Sequence, residues 1–341
     1  MRTAIIRGRC LLLPLFLATF VLASSGDRAQ EYQDCVSACQ SQVCIHEPHN
    51  TLPLALRLTG WTCLDNCKYE CMHTITTAAI RAGSRVHQYH GKWPFWRFAG
   101  MQEPASVVFS MLNLVYHVKG YSQIQKRIPD NHPMKWYYRI FAFVSMNAWI
   151  WSSVFHTRDL PQTEKLDYFS AALAILFALF YTAIRLFHLY PQPAPKTTPK
   201  VTGRIRKVWA SLCSLAYLCH ISYLTLLPRF DYTYNMIFNL TVGLAHNILW
   251  LIYSLPSAIS LIRRFPARAK TYRPRYAWKA AAFVIITTLA TSLEVFDFPA
   301  WGRIIDAHSL WHLATVPIIP LWYQFLIQDA LDDGWKGPKQ E

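Results

Sequence analysis

Charged residues are scarce in this chain. Only 16% of its 341 residues are Asp, Glu, Lys or Arg, whereas 53% are hydrophobic and 13 are tryptophan. The sequence also lacks an evident internal repeat and a glycine-rich phosphate-binding loop, so nothing in it supports a repeat protein or a P-loop nucleotide-binding protein. The length could accommodate two soluble domains, but the long uncharged runs predict a membrane protein with several spans.

The charge that is present is mostly positive. The formal net charge is +15, which would indicate a nucleic-acid partner if the basic residues formed one face. They lie instead between the apolar runs, where lysine and arginine set the orientation of a protein in a bilayer. We therefore expect membrane lipids as partners, and no nucleic acid.

The first residues resemble a targeting segment. Arg2, Arg7 and Arg9 precede a short apolar run that ends at Ala23 and is followed by small residues. This pattern predicts a secretory signal peptide over residues 1–23, although an uncleaved anchor helix is the alternative. The run is short for a full membrane span, which favours cleavage near Ala23.

Six of the nine cysteines fall in the next segment, residues 24–98, which we call the cysteine-rich segment. They form two clusters that each contain a C-x₃-C step: Cys35, Cys39, Cys44, Cys63, Cys67 and Cys71. Six cysteines behind a signal peptide predict three disulfides, and fifteen pairings are possible. A zinc site built from cysteine is the weaker interpretation, because C-x₂-C spacing is absent and a secretory compartment is oxidising.

Seven apolar runs follow, each long enough for a span of about 20 residues. They cover roughly 100–118, 137–155, 168–189, 207–227, 234–262, 277–296 and 308–328, and the fifth could end near Pro256. The first, third and fifth connecting loops carry sixteen basic residues, against four in the second, fourth and sixth. The positive-inside rule then places the first set in the cytosol and the cysteine-rich segment in the lumen. The sequence thus predicts an all-α membrane protein: a seven-transmembrane-helix bundle over 99–330, an N-terminal disulfide-rich lumenal segment, and a cytosolic tail over 331–341.

Three histidines and one carboxylate converge at the predicted lumenal helix ends. His156 closes the second span, Asp167 opens the third, and His308 and His312 open the seventh. The i, i+4 spacing of the last two stacks both imidazoles on one helical face. Three histidines with an open position for water are the arrangement of catalytic zinc, so we expect a metal hydrolase. The plainer alternative is a set of ordinary polar residues at helix ends.

The same residues resemble a known group of proteins. Ser152 four residues before His156, then Asp167, and the pair His308 and His312, match the pattern of the CREST hydrolase superfamily of seven-helix membrane proteins. The cysteine-rich segment and the passages HGKWPFWRFAGMQEPASVVFSMLNL and FHTRDLPQTEKLDYFSA resemble the post-GPI-attachment-to-proteins factor 3 family over nearly the whole chain. That resemblance implies a phospholipase A2 activity that removes the sn-2 acyl chain from the lipid of GPI-anchored proteins. It also implies residence in the endoplasmic reticulum membrane, with the Golgi as the alternative.

The resemblance implies roles for individual residues as well. The three histidines would bind Zn²⁺, Asp167 would handle the proton of the attacking water, and Ser152 would hydrogen-bond the developing oxyanion or orient that water. Ser153 is the alternative to Ser152. Asp159 is expected to support the site or to be a loop residue. Glu103, with Ser106, Ser110 and Asn113 on the same helix, is expected to brace the site or to make packing contacts between helices.

Two other functions stay open from the sequence. A ceramidase-like amidase would use the same zinc-activated water. A non-catalytic seven-helix lipid receptor, or a chaperone for GPI-anchored proteins, would hold the metal in a structural role, which normally takes four protein ligands.

Overall fold

The fold is known from a computed structural model, which describes residues 24–44, 52–191 and 200–336. The predicted signal peptide lies outside the described residues, as does the end of the predicted tail. The described residues form α-helices joined by loops and short turns of other helix types, and they contain no β-strand beyond isolated bridges. The prediction of an all-α protein is therefore confirmed.

The described residues of the cysteine-rich segment form three α-helices: α1 (Gln30–Cys39), α2 (Leu54–Leu58) and α3 (Cys63–Arg81). Thr62 caps α3 with its side chain, and Asp65 completes a reciprocal capping box, which accounts for the start of this helix. In the part of the remaining chain that the structure describes, eight α-helices follow: α4 (Pro104–Arg127), α5 (Lys135–Thr157), α6 (Pro161–Leu186), α7 (Lys200–Leu226), α8 (Tyr232–Ser254), α9 (Trp278–Thr291), α10 (Ala307–Thr315) and α11 (Ile318–Ala330).

Three disulfides join the two cysteine clusters, as the cysteine count predicts. The pairs are Cys35–Cys71, Cys39–Cys67 and Cys44–Cys63. They are nested, because α1 and the π-helical turn that continues it run antiparallel to α3. Cysteines four residues apart present their thiols from consecutive turns of one face, so facing helices can be linked at successive levels. A single disulfide that closes a loop of this size typically stabilises a protein by about 3 kcal/mol.

Four helical stretches among the described residues are long and apolar enough to cross a membrane. They are Pro161–Leu186, Val201–Leu226, Tyr232–Ser254 and Ala307–Ala330. The last of these is the predicted seventh run, and it comprises α10 and α11 with a break at Pro317, which has no N–H to continue a helix. The fifth run ends with α8 at Ser254, just before Pro256, as its sequence allowed.

The predicted first, second and sixth runs form α4, α5 and α9, which are not among these four stretches. Helices α4 and α5 are long enough, at 24 and 23 residues, but are not apolar enough. On α4 the reason is a buried polar face that includes Ser106, Ser110, Asn113 and His117. On its opposite face, large apolar side chains are exposed, as expected where a helix meets lipid: Val108, Met111, Leu112, Val115 and Val118. Helix α9 is only 14 residues long and passes into a 3₁₀ turn, Ser292–Val295.

Helix α4 lies centrally and packs against α5, α10 and α11. Helix α6 packs against α5 and also against α7 and α8. The largest buried cluster is aromatic, and it surrounds an ion pair between Arg185 and Asp329 that is fully enclosed. Asp329 also accepts a hydrogen bond from Tyr253. Asp329 lies seventeen residues beyond His312, so this ion pair lies toward the opposite end of the bundle, roughly 25 Å away along the helix axis.

Candidate metal centre

Three imidazole nitrogens converge where α5 ends and α10 begins. The Nε2 atom of His308 lies 3.3 Å from Nε2 of His156 and 2.9 Å from Nε2 of His312. Asp306 caps α10 in a reciprocal box with Ser309, and the helix that this cap starts carries His308 and His312 on one face. The three side chains form a group that could hold a metal ion.

The other ring nitrogen of each histidine faces a fixed partner. Nδ1 of His156 lies 2.9 Å from Oε2 of Glu103, and Nδ1 of His308 lies 2.8 Å from Oε1 of Glu294. A carboxylate can only accept, so each of these Nδ1 atoms carries its proton and Nε2 is left with a free lone pair. Nδ1 of His312 lies 3.0 Å from Oγ of Ser110. Metal-binding histidines are typically oriented in this way by an acceptor on the far nitrogen, so the residues present fit a metal ion.

Two of the remaining predicted residues lie beside this group. The Oγ atom of Ser152 is buried and lies 3.0 Å from Oγ of Ser110, which in turn contacts His312. Asp167 is half-buried near the start of α6, close enough for its charge to interact with His156 and His308. It makes no hydrogen bond within the described part of the chain, so its carboxylate is available to a small molecule.

The other candidates occupy different positions. Ser153 donates a hydrogen bond to the carbonyl oxygen of Trp149 one turn earlier, at 2.8 Å, so it is turned into its own helix. Asp159 does not contact a histidine, but it lies 3.0 Å from Nζ of Lys92. Glu103 is buried and connects His156 to the same lysine.

The sequence analysis did not identify two residues that contact the histidines or their partners, Glu294 and Lys92. Glu294 is a lone carboxylate within the predicted sixth apolar run, and that position alone marks an ionisable residue in need of a partner. Lys92 lies in the aromatic and basic passage HGKWPFWRF, where no local pattern marked it as part of the site. Burial would lower its pKa, but the neighbouring charges of Glu103 and Asp159 outweigh this effect and raise the pKa of Lys92 above its usual value. It is therefore a partly buried cation that pairs with two carboxylates.

A second group of potential ligands, Cys44, Cys63 and Cys67, lies in the cysteine-rich segment. All three are in disulfides, and a metal would need them as thiolates. The histidine group is thus the metal candidate among the described residues.

Comparison with known proteins places the chain among a set of similar sequences. A model of the Per1-like family matches residues 53–330, a range that contains every residue of the candidate metal centre. A protein of Xenopus laevis named GPI-specific phospholipase A2-like PGAP3 is 40% identical, over 94% of this chain and 94% of its own length. The PER1 homolog of Schizosaccharomyces pombe is 42% identical over 93% and 90%, and a human protein named GPI-specific phospholipase A2-like PGAP3 is 37% identical over 92% of each. No solved structure matches the chain.

Proposed function

The chain belongs to the Per1-like family, and we propose that it is a zinc-dependent hydrolase that removes the sn-2 acyl chain from the lipid of GPI-anchored proteins. The observation that carries the proposal is the convergence of three Nε2 atoms whose opposite nitrogens are held by Glu103, Glu294 and Ser110. The choice of substrate rests on the family and on the printed names of its similar members, which refer to GPI-specific phospholipase A2.

The chemistry follows from the donor set. His156, His308 and His312 would hold the zinc ion through Nε2. A zinc ion held by three histidines lowers the pKa of water to about 7 and polarises a carbonyl oxygen. Asp167 accepts the proton of the attacking water and returns it to the departing glycerol oxygen. The Ser152 hydroxyl donates to the ester carbonyl oxygen as negative charge develops there, which is where a positioned donor contributes most.

The depth of the site supports an ester substrate. The three histidines lie at helix ends of a bundle in which Ala307–Ala330 is long and apolar enough to span a membrane. The ester bonds of a glycerolipid lie at the boundary between the headgroups and the hydrocarbon core, where the ends of such a helix also lie. The acyl chain could therefore stay in the bilayer while its ester bond reaches the site.

We also infer the topology from the family and from the loop charges. Helices α4, α5 and α9 cross the membrane with the four apolar stretches, because α4 and α5 have apolar outer faces and the candidate centre on their inner side. Seven crossings put the basic loops in the cytosol, and the metal centre and the cysteine-rich segment in the lumen of the endoplasmic reticulum.

The test combines metal analysis with lipid analysis. Purified full-length protein should contain about one zinc per chain, and His308→Ala should lose most of it. Cells that express only His308→Ala should keep the sn-2 acyl chain on their GPI anchors, whereas cells with the wild type should not. Equal zinc in both proteins would contradict the site, and remodelled anchors in the variant would contradict the activity. If His308→Ala loses its zinc but its GPI anchors are remodelled as in the wild type, a structural metal in a receptor or chaperone would be favoured.

A further inference from the structure

Lys92 connects the cysteine-rich segment to the candidate metal centre, and we propose that it is a positioning residue that holds the Glu103 carboxylate in its orientation toward His156. The inference rests on the proposed function, because it concerns the ability of His156 to bind zinc. It assigns the cysteine-rich segment a part in the site itself, in addition to any contact with the substrate.

The position of Lys92 is set by a tight hairpin. Tyr89 and Lys92 exchange two backbone hydrogen bonds, of 2.8 and 3.0 Å, across the two residues His90 and Gly91. These two residues have φ values of +51° and +80°. Two consecutive positive φ angles are the geometry of a type I′ turn, which favours glycine at its second position.

The residues that follow the predicted cleavage site hold this hairpin. The N–H of Gly91 donates to Oγ of Ser24 at 2.8 Å, and the N–H of His90 donates to Oδ1 of Asp27 at 2.7 Å. Gly26 lies so close that a Cβ atom there would be 2.6 Å from the backbone of the hairpin. These contacts fix the hairpin to the residues that follow the predicted cleavage site, and its final residue, Lys92, points toward the bundle.

At the bundle, Lys92 bridges two carboxylates. Its Nζ atom forms an ion pair with Oε1 of Glu103 and a second one, of 3.0 Å, with Oδ2 of Asp159. The ammonium group also lies over the ring of Phe155, 4.2 Å from the ring centre. The Glu103 side chain is only 5% exposed, so water hardly screens its charge. Lys92 supplies the countercharge.

The second oxygen of Glu103 is the acceptor for Nδ1 of His156. A carboxylate held in this place accepts from Nδ1 and fixes the ring, so that Nε2 of His156 faces Nε2 of His308 at 3.3 Å. The orientation of Glu103 therefore determines whether His156 presents Nε2 to a metal.

Two effects of removing the Lys92 charge oppose each other. Loss of one positive charge makes the site more negative, which favours a cation. However, without Lys92 the carboxylates of Glu103 and Asp159 repel each other, and Glu103 loses the group that holds its Oε1 atom in place. We expect the second effect to dominate, because Glu103 then turns away and His156 loses the acceptor that orients its ring.

The experiment measures zinc affinity of the purified full-length protein by competition with a chelator. Lys92→Met removes the charge and keeps most of the length of the side chain. It should weaken zinc binding by about ten- to a hundredfold, the usual range when a group that orients a metal ligand is lost. Lys92→Arg keeps the charge and should restore most of the affinity. Asp159→Asn is the matched control, since it removes the other ion pair of Lys92 and should change the affinity by less than about threefold.

A double-mutant cycle separates positioning from general stabilisation. In a Glu103→Gln background, Lys92→Met should produce little further change in zinc affinity, because the carboxylate through which it acts is gone. Additive losses in the cycle would overturn the inference, and so would a lower melting temperature with unchanged affinity in Lys92→Met. If the wild type binds zinc but the variants do not show these affinities, only the positioning role is wrong. A wild type that holds no zinc overturns the proposed function and, with it, this inference.

Discussion

At the scale of single residues, a substitution of Asp167 tests the proposed catalytic role apart from metal binding. Its carboxylate lies near His156 and His308 but makes no hydrogen bond within the described residues. We expect Asp167→Asn to keep nearly all of the zinc, because the three ligands and their partners are untouched. Activity should fall by about 10² to 10⁴, which is the usual contribution of general acid–base assistance.

The measurement is zinc content alongside the acyl composition of GPI anchors in cells that carry only this variant. If Asp167 merely starts helix α6, asparagine would serve nearly as well and remodelling would be normal. That result would remove the assigned role. Loss of zinc would instead make Asp167 a ligand.

The neighbouring serines provide a matched pair. Ser152 lies beside Ser110 and the metal centre, whereas Ser153 is bonded to the carbonyl oxygen of Trp149. We expect Ser152→Ala to lower the turnover rate by about tenfold or more, because a donor to the developing oxyanion is lost. Ser153→Ala should stay within about twofold, since an internal helix contact of this kind contributes little. The opposite order in the same lipid assay would assign the role to Ser153.

At the scale of elements, the contact between α3 and the loop before α10 depends on a neutral histidine. Nδ1 of His73 accepts a hydrogen bond from Arg303 at 2.9 Å, and Nε2 donates to the carbonyl oxygen of Phe95 at 3.0 Å. Burial lowers the pKa of His73 from 6.5 to about 4, and the charge of Arg303 acts in the same direction. Folding therefore favours the neutral ring.

The stability that this contact contributes should be complete above about pH 6.5, where the unfolded histidine is also neutral. It should decrease as the pH falls from 6.5 toward 4, because the unfolded chain takes up a proton that the folded one does not. Melting temperatures of the wild type and His73→Gln, measured across this range, should converge at the acid end. Parallel curves would show that His73 does not titrate differently on folding.

The sequence predicted the elements better than the contacts between them. The apolar runs located the helices because burial in lipid imposes a length and a composition that are local in sequence. The break at Pro317 and the short α9 were not predicted, since a run of apolar residues continues through both. The contribution of Lys92 and Glu294 to the candidate site was not predicted, for a different reason. Each is identified by its partner, Glu103 or His308, and such pairings depend on tertiary packing that no local pattern reports.

At the scale of the whole molecule, the predicted topology fixes where the chemistry takes place. Gln162 is exposed at the start of α6, on the side of the metal centre, and Asp130 is exposed in the loop between α4 and α5. We expect a cysteine at Gln162 to be protected from an impermeant thiol reagent in sealed microsomes, and a cysteine at Asp130 to react. Detergent should make both reactive, which serves as the control. The reverse pattern would place the metal centre in the cytosol.

Because His156 is far in sequence from the other two histidines, it is synthesised well before them. His156 precedes His308 by 152 residues, and a ribosome that adds about 5 to 20 residues per second takes roughly 8 to 30 s to cover that interval. Throughout it, Glu103, Lys92 and His156 have been synthesised, whereas the other two proposed ligands have not. If the three imidazoles bind an ion as proposed, they can do so together only after α10 has left the ribosome, late in synthesis. An incomplete chain that stops before α10 would thus contain only part of the proposed centre.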